Sequence, residues 1–416
     1  MTNKHIPIPE FAIRCLLILY ILFRIPITTH YISVMIFMLP LALLLLGLFL
    51  YGPISRDTGS RFFMVSLVYF GAIIVDELFI ESRIVYMLWN ALLNYLPLVI
   101  GYFLIEHQMD KTIRTFITLY ILSILITGIT TYLGLQEFPD ASRDLASGTN
   151  NELYGKMNIG GFSFIYSLAI SHPMLVYYLR KRNHSILSVV MTILMSMCIT
   201  ASRYTIALVV FSLSLLCYLI PVNDTDTLRK GTIFLILLCL VIIFVLAPTI
   251  LDYLAEQEFL KDYAANLTDI SRMLQGKDVL EGNTVSRQKV YETSWNSFVK
   301  YPVFGGLLSA EGSLQNVSGG HSYFLDTMAK WGLVGLVLVL AMIWTTIKWY
   351  WSLFSGSYAI YYVLFSLALA LVVAALNPVF WTFELGTLIP LFAYSAMHHT
   401  RQKENATFFG ITIRWK

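Results

Sequence analysis

The sequence predicts an all-α membrane protein: a polytopic bundle of about twelve transmembrane helices with a large extracytoplasmic loop before the tenth span. Three observations lead there. Of 416 residues, 57% are hydrophobic and 13% charged, against about a quarter charged in an ordinary soluble domain. Apolar runs of about 17 to 23 residues recur from end to end, each able to cross a hydrocarbon core of about 30 Å as a helix. Lys and Arg collect in alternate loops, as they do where charge sets membrane orientation.

The runs fall at about 10–28, 31–51, 62–80, 84–104, 114–133, 157–179, 186–202, 204–220, 232–250, 331–353, 358–376 and 378–397. Met1 to Glu10 is polar, and the first run carries Arg14 and Arg24 without a small-residue cleavage site, so it reads as a first span and not a cleaved signal. With the N-terminus in the cytoplasm, the inner loops receive Lys111, Arg114, Arg180, Lys181 and Arg182 among others. The short outer loops receive Arg83, Arg143 and Lys156. Both termini are therefore expected inside and residues 251–330 outside. No internal repeat or soluble domain interrupts the chain, which reads as one membrane domain over 1–416 whose loop 251–330 carries the candidate site.

Composition also narrows the chemistry. A net charge of +3, dispersed among loops, gives no nucleic-acid patch. Cys15, Cys198, Cys217 and Cys239 all sit inside apolar runs, with neither CxxC nor nearby His in metal-ligand spacing, and read as small buried hydrophobes. No metal or other cofactor is expected.

Charges inside or beside spans are the next signal, because each costs about 2.5 to 3.5 kcal/mol at a span centre and less near its edge. Arg203 stands between two apolar runs with almost no loop, at the outer boundary, where its planar fork of donors suits a diphosphate. A snorkelling Arg at a tight turn is the plainer reading. Asp76 and Glu77 near the outer end of the third span, with Arg24 near that of the first, form either a salt-bridged structural cluster or a group that orients a sugar hydroxyl.

In the large loop, Ser286 is the expected N-cap of an amphipathic helix that places Val290, Trp295 and Phe298 on one side and Arg287, Tyr291 and Ser294 on another. Tyr301-Pro302-Val303-Phe304-Gly305-Gly306 ends it. Further on, Gly319 and Gly320 permit a close turn, and His321 is expected to begin a helix whose Phe324, Leu325 and Met328 form an apolar stripe. A histidine with a pKa near neutrality is the usual base or orienter for a hydroxyl nucleophile, although a lone His is more often structural. Neither a Ser-His-Asp order nor an HExxH spacing surrounds it.

Together these segments resemble the O-antigen ligase and polysaccharide polymerase (Wzy-type) superfamily of bacterial membrane glycosyltransferases, whose members are GT-C-like bundles. The resemblance rests on Arg203 after its Ser/Thr-containing run and on Arg287 in the helix that ends at Tyr301-Pro302-Val303-Phe304-Gly305. His321 ahead of Gly332-Leu333-Val334-Gly335 completes it, and Met157-Asn158-Ile159-Gly160-Gly161 looks like a capsule-polymerase segment. Ser322 after His321 is more like a polymerase than a ligase.

The resemblance implies metal-independent, inverting transfer of an undecaprenyl diphosphate-linked glycan onto a sugar hydroxyl at the outer face of the bacterial inner membrane. Arg203 and Arg287 would stabilise the leaving diphosphate, His321 would orient or deprotonate the acceptor, and Tyr291 and Tyr323 would contact sugar. It also implies a chain-length regulator and a flippase as partners beside membrane lipids. Two alternatives stay open: a ligase acting on a lipid A core, and a major facilitator-like transporter, whose cytoplasmic loop signature Gly52 to Arg61 partly mimics with acid and base exchanged. The long outer loop and the lack of repeated halves weigh against the transporter.

Overall fold

A computed structural model of the chain describes residues 58–80, 84–222, 246, 248–275, 283–307, 317–404, 407–408 and 411–412. The expected spans 10–28 and 31–51, almost all of 232–250, and Arg24 lie outside the described residues. Apart from a two-residue antiparallel pair, Thr407–Phe408 with Ile411–Thr412, the described residues form helices and their connections.

In chain order the helices are α1 (Thr58–Ile80), α2 (Ile84–Glu106), α3 (Asp110–Glu137), α4 (Ala141–Ser147), α5 (Asn151–Lys156), α6 (Phe162–Lys181), α7 (Ser185–Ala201) and α8 (Thr205–Ser214). There follow α9 (Ala264–Leu274), α10 (Asn283–Lys300), α11 (Tyr323–Phe354), α12 (Ala359–Leu376) and α13 (Ile389–Glu404). Five of the described helices, α1, α3, α6, α11 and α12, are long and apolar enough to cross a membrane. The described residues are thus predominantly helical, with several helices apolar enough for a membrane-embedded protein.

The helices alternate in direction, so their ends gather at two faces. Asp110, at the start of α3, accepts from Tyr394 of α13 at 3.1 Å, and Arg180, at the end of α6, reaches Tyr362 of α12 at 3.4 Å; these define one end of the bundle. At the other end the Tyr323 N–H donates to the Asn377 carbonyl just past α12, and Phe162 at the start of α6 meets Tyr204 ahead of α8.

Apolar lipid gives little hydrophobic driving force for helix association, so close packing must hold the bundle. Gly101 of α2 and Gly386 show how: a Cβ on either would overlap the backbone of the other segment. Gly386 belongs to a π-helical segment, Glu384–Leu388, that opens the last helix. The Tyr350 hydroxyl and Thr387 Oγ1 bond to the Leu385 and Pro97 carbonyls in this region, meeting the need to satisfy backbone groups where helix register changes.

Three boundaries differ from the sequence reading. The span expected at 157–179 starts at Phe162, because Asn158 turns with φ 57° and Gly160 is tied by Ser142 and Thr131. The span expected at 331–353 belongs to a helix that begins at Tyr323 and breaks at Gly332, whose φ of 62° and ψ of −149° only glycine adopts readily. Ser286 does not cap the loop helix, which already begins at Asn283.

Candidate functional site

The turn bearing His321 is built around a carboxylate. Asp326, in the first turn of α11, is buried and accepts from Ser294 Oγ of α10 at 2.7 Å, from the Gly320 N–H at 3.1 Å and from the Ser322 N–H at 3.2 Å. Ser294 in turn accepts from the Gly319 N–H at 2.8 Å. His321 therefore stands at the exposed apex of a turn anchored on both flanks. Burying a carboxylate is tolerable only with such a set of donors.

Helix α11 begins at Tyr323 with Ser322 as its cap, the Ser322 Oγ accepting from the Leu325 N–H, so His321 precedes the helix that it was expected to begin. Gly319 is required: a Cβ there would overlap the Val290 carbonyl of α10. Gly320 holds a left-handed φ of 75°.

Two motif segments lock into each other beneath this turn. The Leu333 and Val334 N–H groups donate to the Pro302 and Val303 carbonyls, while the Gly306 and Leu307 N–H groups donate to the Ala329 and Lys330 carbonyls. These bonds need the helix break at Gly332, which frees donors that a continuous helix would use internally. Gly305, at φ 72°, lies against the Lys330 carbonyl, and Gly332 against Val303, so close that a Cβ on either would overlap backbone.

Arg203 lies between α7 and α8 in the left-handed region, φ 58°, a conformation that costs a non-glycine residue about 1 to 2 kcal/mol. Its carbonyl accepts from Arg143 Nη2 at 2.6 Å, and its guanidinium lies 3.6 Å from the exposed carboxylate of Asp140. Strain of this kind, held by surrounding contacts, is common at functional positions. The neighbouring Tyr204 donates to the Ser142 carbonyl at 3.0 Å.

Arg203 and His321 occupy the same end of the bundle, connected by aromatic rings. Tyr204 meets Phe162, Phe162 stacks on Trp381, and Phe380 stacks on Tyr323 two residues past His321. Arg287 falls in the opening turns of α10, the helix whose Ser294 helps anchor the His321 turn. Tyr291 is half-buried on the same helix.

Other expectations shift. Asp76 pairs with Lys330 at 3.2 Å, the structural salt-bridge arrangement with a partner that the sequence reading did not name. Glu77 is buried on α1. Tyr323 turns its hydroxyl to Tyr69, at 2.5 Å, and its ring onto Phe380, so it faces into the bundle. On α10, the Trp295 ring lies 5.6 Å from that of Phe298, as their expected shared side requires, and it is half exposed, while Ser294, expected on another side, is buried.

Sequence reasoning passed over Asp326 altogether. The available signal was an acidic residue in the first turn after a Ser cap, a combination that satisfies helix N-terminal donors. Among the described residues no cluster of three or more His, Cys, Asp and Glu side chains could hold a metal ion. Compared with known proteins, the chain matches no family model and no curated protein.

Proposed function

We propose that this protein is a glycosyltransferase of the bacterial inner membrane that polymerises undecaprenyl diphosphate-linked repeat units into a surface polysaccharide. In this reading it spans the membrane about twelve times, with both termini in the cytoplasm and the Arg203 and His321 end outside. The observation that carries the proposal is the carboxylate-anchored turn that presents His321 at the same end of the bundle as the strained Arg203. Lys and Arg enrichment at the opposite end supports the orientation.

The reaction follows from these groups. An acceptor sugar hydroxyl attacks the anomeric carbon of the lipid-linked glycan, its proton passing to the His321 imidazole. The bond from that carbon to the diphosphate oxygen breaks, and the electron pair leaves with the lipid diphosphate. Arg203 and Arg287 stabilise the growing charge as fixed donors, which act most strongly where water is scarce. The sugar contacts assigned above to Tyr291 belong to the same proposal, whereas Asp76, paired with Lys330, keeps the structural role.

The test is incubation of purified protein with lipid-linked repeat units, with and without a lipid A core acceptor. A ladder of lengthening glycans without the core is the expected result. Transfer only to the core would replace the polymerase with a ligase, and sugar uptake by reconstituted vesicles without any transfer would overturn both.

A further inference from the structure

One apolar surface is absorbed neither by the bundle nor by the proposed chemistry. At about 100° per residue around α10, the buried Ser294 marks the side facing the protein. Phe298, Tyr291, Trp295 and Val299 follow within the next 140° or so. Glu292, Asn296, Lys289, Lys300 and Thr293 follow, all exposed, and the half-buried Ser297 and Val290 bring the circle back to Ser294. The helix therefore has three faces: one against the protein, one apolar and one polar. Trp295 is 50% exposed and Val299 59%, and the same apolar side continues into the turn that follows, where Val303 and Phe304 are exposed.

That turn is hydrogen-bonded to the start of the membrane-crossing part of α11, through Leu333 and Val334. From there an exposed ridge of Val334, Val337, Trp344 and Trp351 runs down the helix at spacings of three and seven. A ridge of that kind on an apolar spanning helix faces lipid acyl chains. The apolar flank of α10 is thus continuous with the lipid-facing side of a span, while its polar flank points elsewhere.

We infer that α10 and the turn 301–307 are seated on the bilayer surface, with Trp295, Val299, Val303 and Phe304 in the boundary between headgroups and acyl chains. A tryptophan at the edge of such a face is well suited to that depth, and amphipathic helices lie in this plane. The partner is the lipid surface itself. Because Ser294 of the same helix anchors Asp326, the seat holds the His321 turn at the level of lipid phosphates.

Spin labels on single cysteines in the full chain, in lipid nanodiscs, test this. Cys15 and Cys239 are first replaced by alanine, and Cys198 and Cys217 are buried and do not compete for the label. Labels at Trp295→Cys, Val299→Cys, Val303→Cys and Phe304→Cys are expected to collide several-fold more with oxygen than with an aqueous nickel chelate, as at the lipid reference Val337→Cys. Asn296→Cys should show the reverse. Chelate access at Trp295 and Val299 equal to that at Asn296 would overturn the seat, even with Val303 and Phe304 in lipid. Shielding from both reagents would overturn it too, assigning the face to a protein partner. Turnover is not part of the readout, so failure here leaves the proposed activity standing, and failure of that activity leaves the seat.

Discussion

At one end of the bundle Arg182 donates to Ser395 Oγ at 3.1 Å and lies over the Tyr178 ring, while at the other Arg203 lies 3.6 Å from the exposed carboxylate of Asp140. The first end treats its cations as fastenings. Arg180 reaches Tyr362 and covers Tyr218, and Lys181 holds the Val222 carbonyl, each tying the end of α6 to a neighbouring element and complementing its helix dipole. The second end places a cation on a strained backbone beside an exposed acid, a pair of the kind worth about 0 to 1 kcal/mol. In the proposed reaction an anionic ligand would meet that guanidinium in place of Asp140. The contrast separates arginines that hold the fold from one suited to a transient partner.

In the proposed orientation the two ends lie on opposite sides of the membrane, which gives the largest expected effect. Ala146→Cys, exposed on α4 at the Arg203 end, should react with an impermeant thiol reagent added outside intact cells, and Asn183→Cys should not. Reversed labelling would invert the orientation and remove the lipid-linked donor from the candidate site.

Next in size is His321→Ala. General-base catalysis typically contributes 10² to 10⁴-fold, so turnover should fall by about that range while donor binding survives. His321→Gln, which accepts a hydrogen bond but carries no proton away, should recover only activity due to orientation. Loss of donor binding in parallel with turnover would reassign His321 to diphosphate recognition beside Arg203 and Arg287.

In the proposed mechanism Asp326 acts through His321 and not on substrate, so its substitution should be milder and should depend on the histidine. Asp326→Asn turns an amide donor toward the Ser322 or Gly320 N–H, loosening the turn, with an expected fall in kcat of roughly tenfold and an unchanged donor KM. In the His321→Ala background the same substitution should add nothing. An undiminished tenfold loss in that background would make Asp326 merely structural.

The positions of several apolar helices were legible because apolar length is a direct consequence of the bilayer. The segments around 84–104, 186–202 and 358–376 were placed within a few residues for that reason. The loop was legible only in part. Gly305, Gly319 and Gly320 announced special backbone, whereas Gly332 fell inside an expected continuous span, and which segments would touch depends on long-range hydrogen bonds that no local pattern encodes. Asp326 looked like any acidic residue at a helix start, and its value comes from Ser294, 32 positions earlier. The π-helical segment within the expected last span was equally hidden, since its sequence is as apolar as a regular helix and its buried Glu384 gave no periodic signal.

The smallest effect sharpens the opening contrast by making one substitution at both ends. Arg182→Lys keeps the positive charge at the end of α6 and gives up the bond to Ser395 and the stacking on Tyr178, a loss of about 1 kcal/mol of stability. Turnover should stay near wild type, because nothing at that end touches the proposed donor. Arg203→Lys keeps charge as well but replaces a planar fork with a point charge. If the guanidinium holds a diphosphate by two charge-assisted hydrogen bonds, losing one of about 1.5 to 3 kcal/mol lowers kcat/KM by roughly 10 to 100-fold. Thermal stability should change less than turnover, since the exposed Asp140 pair is of a kind worth little and the Arg143 bond is made to the backbone carbonyl, which lysine retains. The two variants should thus separate cleanly, one on the melting curve and the other on turnover. Equal turnover in both, measured on purified protein with lipid-linked substrate, would place Arg203 among the fastenings and leave its strained backbone without a chemical purpose.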